Sequence, residues 1–204
     1  MSRSVSGSFP LGQCQRLLFY AARVNGQIWL VSGCPGSGKS SVARGLCARL
    51  PKSVHIEVDD LRHAVKSGYI SPAASWSEEQ ALQLRLAHRT AAEMADRYSQ
   101  AGYGVVIDDI ITDDELRDYT TYLHGHAIRK VLLVPSLNEA LRRNAERPLE
   151  TNNASAAARP ALDAMIRRLH PRFADGHTEW SKFDTTALSV DATVDAILAK
   201  PLSR

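Results

Sequence analysis

The feature that most constrains this chain is a ten-residue run, SGCPGSGKSS at 32–41, which holds three glycines, a proline and a single lysine. Such a composition makes a poor helix and a poor strand. Yet it follows the apolar QIWLV at once and precedes SSVARGLCARL, where Val42, Leu46 and Leu50 fall at helical spacing. The spacing Gly33-x-x-x-x-Gly38-Lys39-Ser40 matches G-x-x-x-x-G-K-[ST], the phosphate-binding loop, and its mechanism requires a strand before the loop and a helix after it.

The physical reasons are separate for each residue type. Glycines let the backbone curl until successive N–H groups point inward at phosphate oxygens, and the following helix adds its positive N-terminal end. The expected nucleotide cradle is Gly33, Cys34, Pro35, Gly36, Ser37, Gly38, Lys39, Ser40 and Ser41. Lys39 is expected to place its ammonium on the β- and γ-phosphates of ATP or another nucleoside triphosphate, and the Ser40 hydroxyl to ligate Mg2+.

Beyond the loop, strands and helices alternate. Apolar runs predict strands at 27–32, 54–58, 103–107 and 127–134, with a short fifth at KFDTTAL. Helices are predicted between them. Ser77 with Gln80, Thr112 with Glu115, and Ser136 with Glu139 have capping-box spacing, and Ser189 is expected to cap the last helix. Near-continuous apolar strands in alternation with helices predict an α/β fold, a three-layer parallel sheet of about five strands covered on both faces. Ligands in such folds gather at the carboxyl ends of the strands, where the glycine loop, Asp59-Asp60 and Asp108-Asp109 are expected. The predicted organisation is an N-terminal extension of unknown role at 1–26 and a single domain at 27–204, with a mobile lid at about 142–172. The segment 148–160, PLETNNASAAARP, is expected to be a mobile loop.

Composition excludes several classes. At 204 residues the chain suits one domain, and no run approaches the ~20 apolar residues of a membrane span. RLLFYAA near the start lacks the flanks of a signal peptide. Cys14, Cys34 and Cys47 form no CxxC pair, so free thiols in a reducing cytoplasm are expected. The charge is uneven: residues 129–172 carry nine Lys and Arg against four acids, whereas 105–118 carry six acids and one Arg. A basic back half beside an acidic strand end suits a polyanion and a metal.

At several points the sequence resembles the small P-loop phosphotransferases (kinases) that place phosphate on a hydroxyl. GCPGSGKSS and VDDLR (58–62) resemble polynucleotide 5′-kinases. VVIDDII (105–111) and FDTTALSVDATVDAI (183–197) resemble chloramphenicol 3-O-phosphotransferases, and RRNAER (142–147) resembles the lid arginines of the wider group. The resemblance covers residues 27–199. It implies a P-loop kinase fold, with Asp59 as general base, Arg62 as the arginine beside it and Arg147 as the lid arginine that reaches the phosphates. It also implies that Asp108 or Asp109 is the acid at the third strand's end, with Asp109 taken as the metal contact. The kinase-type glycine-serine loop departs from the chloramphenicol enzymes, which vary it, and 63–80 matches neither family.

Chemistry points the same way. A hydroxyl attacking phosphorus needs a carboxylate to accept its proton. Asp59 is placed for this if the second strand lies beside the first, and its other expected role is as a helix N-cap. Charge developing on the phosphoryl oxygens needs a cation, to be supplied by Arg143 or Arg147. Trp76 and Tyr69 are candidates for a substrate pocket or for core packing. His63, His170 and His177 show no partner pattern. The leading reading is a cytoplasmic ATP-dependent kinase acting on a small-molecule hydroxyl, a natural product or antibiotic among them. A 5′-hydroxyl polynucleotide kinase is the second reading, disfavoured by an aromatic content of 6% and a net charge of +3, because single-stranded nucleic acid needs stacking platforms and a basic channel. The third is a nucleotide-binding regulator or ATPase without an acceptor.

Overall fold

A computed structural model describes residues 26–71, 77–147, 159–176 and 179–201. Among the described residues, twelve elements run in the order β1 (Ile28–Ser32), α1 (Lys39–Arg49), β2 (Ser53–Glu57), α2 (Val58–His63), α3 (Glu78–Gln100), β3 (Gly104–Asp108), α4 (Asp113–Tyr122), β4 (Ile128–Leu133), α5 (Leu137–Glu146), α6 (Arg159–Asp175), β5 (Ser181–Phe183) and α7 (Val190–Ala199). The expected mobile loop falls outside the described residues over 148–158, as do Cys14, Trp76 and His177.

The five strands form one sheet in the order β2-β3-β1-β4-β5, and every pairing is parallel. The fold class expected from the sequence, a parallel α/β sheet with helices on both faces, is the one observed. One expectation is overturned: β2 does not lie beside β1, because β3 runs between them. The apolar runs of β1 and β3 explain the arrangement. All five residues of each are buried, and strands with no solvent-tolerant face take the middle of a sheet. Strand β2 carries Ser53, His55 and Glu57 on one face and sits at the edge.

Alternation along the strands divides the core in two. Ile28, Leu30, Val105, Ile107 and Ile56 pack with α3, α4, α5 and α6 residues such as Ala91, Tyr119, Ala140 and Phe173. Trp29, Val31 and Val106 pack on the opposite face against Val42 and Leu46 of α1 and Val194 and Ile197 of α7. Cys47 packs at the edge of this second cluster.

The helix starts are only partly as the capping spacing implies. Ser77 Oγ accepts from Gln80 N at 3.1 Å, but the Gln80 side chain donates to Ser71 O at 2.9 Å and does not complete a box. The Thr112–Glu115 box is complete. Ser136 and Ser189 cap α5 and α7 through Glu139 N and Ala192 N, while the Glu139 carboxylate turns to Arg142 and Arg143.

Candidate functional site

The phosphate-loop sequence closes over the carboxyl end of β1. At Gly36 φ is +78°, and a Cβ there would lie 2.3 Å from Ala140 O of α5, so only glycine lets the loop and helix approach so closely. Gly38, at φ +95°, is the N-cap of α1. Lys39 Nζ curls back over the loop and donates to Gly33 O at 3.1 Å and Cys34 O at 3.3 Å. Cys34 is buried, and burial raises its thiol pKa against the pull of Lys39.

Asp108 and Asp109 follow the alternation of β3 and point to opposite faces. Asp108 points to the α1 face: its Oδ1 lies 3.5 Å from Ser40 Oγ and its Oδ2 lies 2.8 Å from His55 Nε2. Asp109 turns to the α3 and α4 side. Its Oδ2 accepts from Tyr119 Oη at 2.9 Å and lies 3.0 Å from His88 Nε2, and its Oδ1 accepts from Ile110 N at 2.8 Å. Of the two carboxylates, Asp108 rather than the expected Asp109 lies on the face that carries Ser40. Ser40 and Asp108 are hard oxygen donors of the kind magnesium takes.

Asp59 is also placed differently from expectation. Strand β2 stops at Glu57, which is the N-cap of α2, so Asp59 lies in the first helical turn and is neither a strand end nor a cap. Its Oδ1 accepts from Arg62 Nη1 at 3.0 Å, with 9% of the Arg62 side chain and 44% of the Asp59 side chain exposed. Neighbouring protein atoms strip enough water from the Asp59 carboxyl to raise its pKa above the ordinary 3.8. The charge of Asp109 adds to this rise, while Arg62 and Lys39 oppose it.

Arg143 is engaged by the protein itself. Its guanidinium donates to Glu139 Oε1 at 2.7 Å, to Thr185 O at 2.6 Å and to Ser37 O at 3.4 Å, tying α5 to the loop and to the turn after β5. Arg147 caps the end of α5 and is half-buried, and its carbonyl accepts from Arg159 Nη2 at 2.8 Å. Of the two arginines, Arg143 sits at the loop and Arg147 at the C-terminal end of α5.

Four further residues of the site were not singled out from the sequence. His88, 1% exposed at its side chain, lies between Asp109 and Asp118, at 3.0 and 3.1 Å. Burial works against its charge, but the two carboxylates prevail and raise its pKa above 6.5. Tyr119 packs 5.1 Å from the His88 ring. His55 and Glu57 share the α1-side face of β2 with Asp108 across the pairing Glu57↔Asp108. Burial, then the charge of Asp108, raises the Glu57 pKa. Polar residues two apart on an apolar strand are a sequence signal, but their partner depends on which strand lies alongside.

The fold recurs in known structures. Similarity extends to the tunicamycin resistance protein of Deinococcus radiodurans, at 20% identity and a TM-score of 0.55, covering 85% of this chain and 94% of that one. A gluconokinase from Sinorhizobium meliloti matches at 20% identity and TM-score 0.58, over 86% and 91% of the two chains. Shikimate kinase from Acinetobacter baumannii matches at 18% and 0.52, over 84% and 90%. No curated protein matches the sequence. These neighbours have the P-loop kinase fold seen here. A family model described as an AAA domain matches residues 28–172, a span that runs from β1 through the phosphate loop and both acidic strand ends to α6, and the chain belongs to that family.

Proposed function

We propose that the protein is an ATP- and magnesium-dependent kinase that transfers the γ-phosphate to a hydroxyl group of a small molecule. The observation that carries this reading is the phosphate-loop geometry, with Lys39 Nζ curled over the Gly33 and Cys34 carbonyls, together with the Asp59 carboxylate held by Arg62 at 3.0 Å in the first turn of α2 and near enough for the Lys39 charge to act on it. A nucleotide-binding regulator has no need of a base at that place.

The roles follow from position. Backbone N–H groups of 33–41 and the start of α1 receive the phosphates. Lys39 exchanges its bonds to Gly33 O and Cys34 O for the β- and γ-phosphate oxygens. Ser40 and Asp108 are the residues to hold magnesium, which supplies neutralising charge on those oxygens. Asp59 accepts the acceptor's hydroxyl proton as the new O–P bond forms and the bond from the γ-phosphorus to the β–γ bridging oxygen breaks, releasing ADP. Arg62 keeps the Asp59 carboxylate oriented. Arg143 holds the loop from behind, which leaves Arg147 as the arginine to meet the developing phosphoryl charge. The acceptor is proposed to be a small molecule because the structural neighbours include a gluconokinase, a shikimate kinase and a tunicamycin resistance protein.

The test is transfer of labelled phosphate from ATP to a panel of hydroxylated antibiotics, nucleosides, sugar acids and a 5′-hydroxyl oligonucleotide, followed by Asp59→Asn on whichever acceptor is labelled. Loss of the base should lower turnover about 10²–10⁴-fold with ATP affinity near wild type. Turnover within a few-fold of wild type removes Asp59 from the chemistry, and label on the oligonucleotide alone replaces the small acceptor with a polynucleotide.

A further inference from the structure

The α1-side face of β2 and β3 sets His55 and Glu57, to which phosphate transfer gives no role, beside Asp108. Parallel register sets Glu57 directly across from Asp108, and His55 stands two residues back on the same face. A ring nitrogen of His55, a Glu57 carboxylate oxygen and an Asp108 carboxylate oxygen all lie within 4.8 Å of one another. Among the described residues, no lysine or arginine forms an ion pair with Glu57 or Asp108. Two carboxylates are thus crowded together beside one imidazole, at the carboxyl ends of β2 and β3. Asp108 is 4% exposed, and 19% of the His55 side chain remains accessible.

We propose that His55, Glu57 and Asp108 form a binding site for a second divalent cation, of the class that accepts imidazole with carboxylates, Mn2+ or Zn2+. The two oxygens of Asp108 divide the work. Oδ1 faces Ser40 and Oδ2 faces His55, so the oxygen offered to this site is not the one turned to Ser40. One imidazole and two carboxylates leave open positions for water, and this donor set discriminates against magnesium, which prefers all-oxygen octahedra. A cation there relieves the repulsion between Glu57 and Asp108. The site goes beyond the kinase reading and does not rest on it, because its three ligands are in place without nucleotide.

The experiment titrates Mn2+ into the nucleotide-free full-length protein, with free Mn2+ followed by electron paramagnetic resonance. Mn2+ is the probe because the Cys34 and Cys47 thiols, which are soft ligands, do not compete for it. Wild type is expected to bind one equivalent. His55→Phe and the isosteric Glu57→Gln should each weaken binding by at least about tenfold, since even loss of an outer-shell partner costs about 10–100-fold. Circular dichroism melting checks that each variant is folded, and ATP binding measured in parallel reports on the phosphate loop separately. No Mn2+ bound by wild type without nucleotide, or affinity unchanged in either folded variant, overturns the site.

Discussion

Replacing Gly36 by alanine tests how tightly α5 is drawn onto the phosphate loop. Two costs add. Alanine at φ +78° carries left-handed strain of roughly 1–2 kcal/mol, offset in part by about 0.4–1 kcal/mol from a less flexible unfolded chain. The second cost is steric. The new Cβ would stand 2.3 Å from the Ala140 carbonyl oxygen, whereas ordinary contact begins at 3.4 Å, so α5 must retreat by about 1 Å. A backbone carbonyl inside a helix cannot turn aside, and overpacking of this kind costs about 1–3 kcal/mol. Gly68→Ala is the control: its φ is +77°, yet nothing lies within 4 Å of the added methyl. The expected loss is roughly 2–4 kcal/mol for Gly36→Ala and about 1 kcal/mol or less for Gly68→Ala. At about 2–4 °C per kcal/mol for a chain of this size, thermal unfolding followed by circular dichroism should separate the two clearly. Retreat of α5 also carries Arg143 away from Ser37 O and Thr185, so ATP affinity should fall with stability in Gly36→Ala alone. Equal melting temperatures for the two variants would refute the close approach of loop and helix.

Three other outcomes follow from the same geometry. Lys39→Ala should weaken ATP binding roughly 10–100-fold, the worth of one charge-assisted hydrogen bond of about 1.5–3 kcal/mol, and abolish transfer; calorimetric titration showing normal ATP affinity would sink the phosphate-loop assignment. Arg147→Ala should lower turnover roughly 10²-fold with little change in acceptor KM, whereas Arg143→Ala should weaken ATP binding by freeing the loop; the opposite pattern in steady-state kinetics exchanges their roles. Because the folded protein raises the His88 pKa above 6.5, its imidazolium stabilises the fold fully below that value, and the contribution is lost as pH rises through the raised pKa. Urea unfolding across this range should show that loss in wild type and its absence in His88→Gln; parallel curves would mean the His88 charge is not coupled to folding.

The sequence alone determined the parts of this protein that depend on local geometry. The glycine loop, the strand before it and the helix after it are legible because a phosphate cradle needs left-handed backbone at fixed offsets, as at Gly36 and Gly38. The parallel sheet is legible because near-continuous apolar strands alternate with helices. What the sequence could not determine is which strand lies beside which. Insertion of β3 between β1 and β2 follows from burying the two most apolar strands on both sides, a choice made by the whole core and by no single segment. That order sets β2 one strand away from β1, and because β2 stops at Glu57, Asp59 lies in the first turn of α2. It also separated Asp108 from Asp109: strand alternation sends neighbours to opposite faces, but which face carries Ser40 is settled only when α1 packs down. Arg143 reads as a free cation in the sequence and is a tie in the fold, because Glu139, Ser37 and Thr185 meet it from three separate elements. His55, Glu57 and His88 escaped notice for the same reason. Their partners lie more than 20 residues away along the chain, and only tertiary packing makes them neighbours.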